Sequence, residues 1–398
     1  MTLDLDRLLA FCQSEHAWQL ATIDALTRIE SPSFDKAAVD RCGRELARRL
    51  AEIGGRVEVV ANETMGDHLR AEFADAGGGA SGGTVSGGAA GGGDQVLLLG
   101  HFDTVWPLGT LDRMPLVQQD GRLHGPGTFD MKAGIAIAML ATRALAAATT
   151  RLPIRIVMLW TTDEEVGSKT SRALIEAEAR KSRAVLVLEP SLPEGAAKTS
   201  RKGVGEFTIE VQGVVAHAGI DPSKGVSAVH ELASLVNELA PLNDHARGTS
   251  VNVGVIEGGT RGNVIAERAR AIVDVRVPTA ADARRVEAFV RGLRPHHPRA
   301  TVTIHGAVDR PPLERSADVV RLYELAREVA RGLGHALGEG GTGGGSDGNF
   351  TAALGVPTLD GLGAIGDGAH ARHEHVDVAA LPWRTALIAG LIARLSGA

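Results

Sequence analysis

A chain of 398 residues exceeds one ordinary hydrophobic core and points to two domains. Its 44% hydrophobic and 23% charged residues are the composition of a soluble globular protein. A net charge of −6 without a basic block, and an aromatic content of 3%, argue against nucleic acid or an anionic membrane as partner.

The opening stretch "MTLDLDRLLAFCQSEHAW" carries acids early and no cationic region ahead of an apolar one, so it does not read as a secretory leader. No apolar run is expected to span a bilayer. Cys12 and Cys42 lack a zinc-ligand spacing and are expected as reduced thiols in N-terminal helices of a cytoplasmic protein, a disulfide being the alternative. Residues 4–53 have helical periodicity, broken by "SPSFD" at 31–35, and "RVEVV" at 56–60 reads as a strand. The stretch "GGGASGGTVSGGAAGGG" at 77–93 is too costly in entropy to order and is expected as a mobile surface loop between two strands. A phosphate cradle is the sharper reading there, but neither Gly-Lys-Ser/Thr nor a helix follows.

Continuous apolar runs at "QVLLLG" (95–100), "IRIVMLW" (154–160) and "AVLVLEP" (184–190) predict buried strands. Between them "MKAGIAIAMLATRALAAA" and "SKTSRALIEAEARK" predict helices, so the segment reads as an α/β sheet with helices on both faces. The pattern changes near residue 196. "GEFTIEVQGV", "TSVNVGVIEGG", "RARAIVDVRVP" and "ATVTIHGAV" alternate as half-exposed strands, while "GVSAVHELASLVNELAPL" and "ADARRVEAFVRGL" read as helices. From about residue 315 the earlier style returns, with a helix at 316–333, a glycine-rich loop at 338–348 and a helix at 380–395. The expected organisation is an α/β domain, residues 1–195 and 315–398, into which an α+β sandwich, residues 196–314, is inserted.

The three buried strands end in His101 and Asp103 ("HFD"), in Asp163, Glu164 and Glu165 ("TTDEE"), and in Glu189 ("LEP"). In an open α/β sheet, ligands lie outside the carboxyl ends of strands, so these groups converge on one crevice. Asp130 precedes a long helix, and "GAHARHEH" offers His370, His373 and His375. Each has an ordinary reading alone: a loop histidine, an N-cap, a solvated turn. Together, crowded carboxylates repel and lose solvation, and a divalent cation removes both penalties. Histidine and carboxylate without thiolate suit zinc, with manganese or cobalt as replacements. Five candidate ligands, His101, Asp130, Glu165, Glu189 and His370, fit a pair of ions sharing one carboxylate. Asp103 then orients His101, and Glu164, beside a ligand but not needed as one, serves as general base.

"GHFDTV", "GPGTFDMKAG", "TTDEEVGS", "LEPS", "VVAHAG", "GGGSDGNF" and "GAHARHEHV" resemble, in order and spacing, the dinuclear zinc exopeptidase and deacylase family, and most of all its glutamate carboxypeptidases. Acetylornithine and succinyl-diaminopimelate deacetylases, aminoacylase and bacterial dipeptidases are members too. The resemblance implies one zinc on His101, Asp130 and Glu189 and another on Asp130, Glu165 and His370, Asp130 bridging. It implies that residues 196–314 form a lid that makes a homodimer. It further implies that His217 ("AHAG") and Asn263 steady the oxyanion in a neighbouring subunit's site. Arg310, and less strongly Arg276, would bind the substrate carboxylate together with backbone amides of the "GGGSD" loop around Gly345. His373 is the lesser choice beside His370, and His230 and His245 read as surface or packing residues.

The expected activity is hydrolysis of an amide bond next to a free carboxylate, releasing a C-terminal amino acid from a peptide or N-acyl amino acid. A deacylase or deacetylase is the alternative within the same chemistry, and a non-catalytic metabolite-binding dimer the alternative outside it.

Overall fold

The computed structural model describes residues 4–74, 95–148 and 154–397. The glycine-rich stretch 77–93 lies outside these residues. Every residue of the strand Gln95–His101 is buried, as its unbroken apolar run requires of a central parallel strand. It lies between Arg155–Thr161 and Ser182–Val187, parallel to both. The six-stranded sheet runs in the order Arg56–Val60, His68–Phe73, Arg155–Thr161, Gln95–His101, Ser182–Val187, Thr358–Leu359. The first two strands are antiparallel, so the sheet is mixed.

Side chains alternate across the sheet, and each face has its own core. Val96 and Leu98 pack with the helices Leu5–Ser14, His16–Thr27, Lys36–Glu52, Ala133–Ala148, Ala317–Gly332 and Leu381–Leu395. Leu97 and Leu99 pack with Ile175 of Arg172–Ala179 and Phe350 of Gly348–Ala353. Cys12 and Cys42 are free and buried in this helical layer. The register pairs His101 with Thr161 and Leu99 with Val187, so three strands end at one level.

Several sequence expectations need correction. Among the described residues two helical stretches, Thr128–Ala148 and Val378–Leu395, are long and apolar enough to cross a membrane, contrary to the expectation of none. Both are 78% buried inside the protein, and Asp130 and Met131 interrupt the first with non-helical backbone. A core helix covered on all sides is apolar all round for the same reason as a membrane span. The helix after Asp130 accordingly begins at Ala133. The helix expected over "SKTSRALIEAEARK" is only Arg172–Ala179, because Ser168 (φ 56°) and Thr170 are drawn into bonds to Asp163. The loop expected at 338–348 contains a strand, Glu339–Thr342, paired with Ala197–Arg201. A second small sheet, Gly366–Asp367, His375–Asp377, Arg122–His124 and Val117–Gln119, uses strands too short to announce themselves in sequence.

The chain divides into two compact units: residues 1–199, 315–341 and 346–398, and residues 200–314 with 342–345. The second unit carries the antiparallel sheet Ser250–Gly258, Arg268–Val277, Gly203–Gln212, Thr301–Arg310. Phe207, Ile209 and Val211 point from it into one core with the helices Ala228–Leu239 and Ala280–Gly292, while the intervening residues are more exposed. This alternation is that of a half-buried sheet.

Candidate metal centre

The exits of the parallel strands gather the predicted residues of the first unit. His101 ends its strand and is 1% exposed. Its Nδ1 lies 3.1 Å from the carbonyl of Asp103 and 3.4 Å from Asp103 Oδ1. A carbonyl only accepts, so Nδ1 carries the proton and Nε2 presents a lone pair whenever the ring is neutral. That Nε2 is 3.2 Å from Asp130 Oδ1 and 3.4 Å from Glu189 Oε1. Asp103 was expected to orient His101 through its carboxylate; the shorter contact comes from its main-chain oxygen. The carboxylate itself accepts a bond from Ser33 Oγ at 2.7 Å, a partner not anticipated from "SPSFD".

Asp130 faces both ways: Oδ1 meets His101, and Oδ2 is 3.3 Å from His370 Nε2. His370 Nε2 also lies 3.0 Å from Glu165 Oε2. His370 holds a left-handed backbone, φ 62°, a conformation that costs a non-glycine residue energy and tends to occur at functional sites. Ligand atoms of His101, Asp130 and Glu165 lie within 4.8 Å of one another, as do those of His101, Glu164 and Glu189. His373 is instead exposed, with its Nε2 3.8 Å from Asp367.

Electrostatics record the crowding. Bonds to Asp130 and Glu165 raise His370 to about 10. Burial, with the charge of Asp130 added to it, raises Glu165 to about 7. Burial opposes charge on His101, yet its bonds to Asp103, Asp130 and Glu189 raise it well above the usual histidine range. Burial would raise Asp130 too, but the two histidines hold it far below the usual carboxylate range. The surrounding acids thus favour a positive charge at this place. A divalent cation fits the same place. Two donors at about 2.0–2.1 Å from a tetrahedral ion lie roughly 3.3–3.4 Å apart. The contacts between Nε2 and carboxylate oxygens, 3.0–3.4 Å, are close to that spacing.

In the second unit, exposed His217 sits in the two-residue strand Ala216–His217, paired with Val264–Ile265. Its Nδ1 accepts from the amides of Gly219 and Ile220, at 3.1 and 3.2 Å, so Nε2 carries the hydrogen when the ring is neutral. Asn263 is beside it, its carbonyl accepting from Ala218 N at 3.0 Å. Arg310 is 7% exposed and lies against Gly345, where a Cβ would come within 2.6 Å of Arg310 Cδ. Arg276 is held by a bidentate pair with Asp274 at 3.0 and 2.9 Å. Of the "GGGSD" amides expected for a substrate, Ser346 N already donates to Asn349 Oδ1 at 3.0 Å.

Residues 97–394 match the model of peptidase family M20/M25/M40, and the chain belongs to this family. It is a metal-dependent hydrolase of the metallopeptidase and amidohydrolase class. Carboxypeptidase G2 of Pseudomonas sp. (strain RS-16) is 30% identical over 380 residues, covering 94% of this chain and 88% of that protein. Succinyl-diaminopimelate desuccinylase of Xanthomonas euvesicatoria pv. vesicatoria is 31% identical over 319 residues, 75% of this chain and 83% of its own. Among solved structures, aminopeptidase PepT of Bacillus cereus shares the fold, with a TM-score of 0.74 at 21% identity over 99% of this chain and 100% of that one.

Proposed function

We propose that the chain hydrolyses an amide bond beside a free carboxylate, releasing a C-terminal amino acid from a peptide or an N-acyl amino acid. His101, Asp130 and Glu189 would hold one divalent cation, and Asp130, Glu165 and His370 a second. Zinc suits this donor set first, manganese or cobalt next. The observation that carries the reading is Asp130, whose two oxygens each face a different histidine. Bound there, such ions polarise a carbonyl and lower the pKa of water to about 7.

The chain's own groups do the rest. A carboxylate oxygen of Glu164 takes the proton of the attacking water and delivers it to the leaving nitrogen. The Nε2–H of His217, contributed by a second copy of the chain in a homodimer, donates to the oxyanion that develops on the carbonyl, with Asn263 assisting. Arg310, kept in place beside Gly345, pairs with the substrate carboxylate. Arg276 is the weaker choice for that role, since Asp274 already occupies its guanidinium fork.

A second reading, an N-acyl amino acid deacylase, is supported by the similarity to the desuccinylase. Varying first the acyl half and then the amino acid half of a substrate panel, and comparing kcat/KM, separates the two. A carboxypeptidase tolerates changes in the acyl half and discriminates the released amino acid; a deacylase does the reverse. No hydrolysis by the zinc-loaded protein across both panels would remove both readings.

A further inference from the structure

We infer that Glu374 is a positioning residue that locks the Asp130 turn to the His370 turn and thereby sets the affinity of the cation site those two residues share. The inference rests on the metal-centre reading above. Glu374 is fully buried, and four N–H groups converge on its carboxylate. Oε1 accepts from the amides of Phe129 and Asp130, both at 3.0 Å. Oε2 accepts from the amide of Gly127 and from Trp106 Nε1, both at 2.9 Å. The main-chain carbonyl of Glu374 accepts from Gly125 N at 3.2 Å, adding a fourth tie to the segment that leads into Asp130.

The amides of Gly127, Phe129 and Asp130 lie ahead of the helix Ala133–Ala148, and the carboxylate satisfies all three. Glu374 also closes the turn that carries His370: its own amide donates to Ala371 O, and Ala371 N donates to Gly368 O. One residue therefore ties two of the three donors proposed for the Asp130, Glu165 and His370 site, Asp130 through its carboxylate and the His370 turn through its own amide. It fixes only Asp130 of the His101, Asp130 and Glu189 site. Loosening it should weaken the former more than the latter.

Glutamine is the informative replacement. It keeps the shape, but in either orientation its NH₂ faces two N–H donors where an oxygen accepted them. The test titrates zinc into chelator-stripped full-length protein against a competing indicator. Wild type should take up two equivalents. Glu374→Gln should bind the weaker equivalent about 10–100-fold less tightly, the usual effect of removing a group that orients a ligand. Its kcat should fall while KM stays within about twofold.

Trp106→Phe alone removes one good donor and should weaken that equivalent several-fold. Added to Glu374→Gln, the same change removes one opposing donor and should restore part of the loss. This reversal of sign is not expected of a merely structural role. Should Glu374→Gln fail to fold, the Trp106→Phe titration decides, and an unchanged isotherm overturns the inference. An isotherm for Glu374→Gln matching wild type overturns it as well. Wild-type protein that takes up no zinc defeats the metal-centre reading and this inference with it.

Discussion

The antiparallel sheet of the second unit and the strand exits of the first manage charge in opposite ways. On the antiparallel sheet of the second unit, acids and bases meet as pairs near solvent, as with Arg270 and Glu257 or Arg276 and Asp274. Such pairs cancel locally, need nothing further and contribute little. At the strand exits of the first unit, Asp130 and Glu165 meet histidines that are charged only when protonated. Paired charge of the first kind makes a surface. Acids concentrated away from water, with titratable partners, make a site that accepts a cation.

That contrast can be broken in several ways. Removing cations with a chelator should abolish turnover and lower the melting temperature, because a ligand held by the native state alone stabilises it. Calorimetry with and without re-added zinc checks this, and identical melting curves would count against a cation at the strand exits. Glu164→Ala should retain metal content while kcat falls by several orders of magnitude, since the ligands remain and the proton carrier is gone. Metal analysis beside steady-state kinetics separates this from loss of the ion.

His217→Ala should lower kcat about 10²–10³-fold, the typical cost of one oxyanion donor. Mixing it with Glu164→Ala copies should restore part of the activity if each copy completes the other's site; absence of recovery removes the shared-site reading. Ser33→Ala deletes the hydroxyl that holds Asp103 and should weaken metal affinity about 10-fold, measured by indicator competition. At the small end, Arg276→Ala should shift the melting temperature by less than about 2 °C and leave KM unchanged, as expected of a half-exposed surface pair. A large rise in KM would return Arg276 to the substrate site.

Much of the first unit's centre could be read from sequence because its rules are local. A continuous apolar run ends, and the next residue that can bind a cation stands at the rim of a sheet: His101 and Glu189 follow this rule, whereas the second strand is followed by Asp163, Glu164 and Glu165, and the motif around them is needed to choose among the three. His370 needed the motif around it, since neighbouring His373 and His375 are equally competent by type. Ser33 and Glu374 obey no local rule. One sits in a stretch that reads as a helix break, the other among histidines that draw the eye, and their roles exist only through partners far away in the chain. The helix cut short at Arg172 has the same origin, because Asp163 competes for the backbone that periodicity had assigned to the helix.

By itself the sequence determined the α/β class, the buried strands, the alternating strands of the second unit and which acids and histidines stand at the strand ends, because periodicity and strand exits are properties of neighbouring residues. Only the tertiary structure decided which oxygen of Asp130 meets which histidine, which nitrogen of His101 is left to a ligand, and which buried carboxylate holds the turns in place. Those are relations between segments distant in the chain, and hydrogen-bond geometry exists only once packing has brought them together.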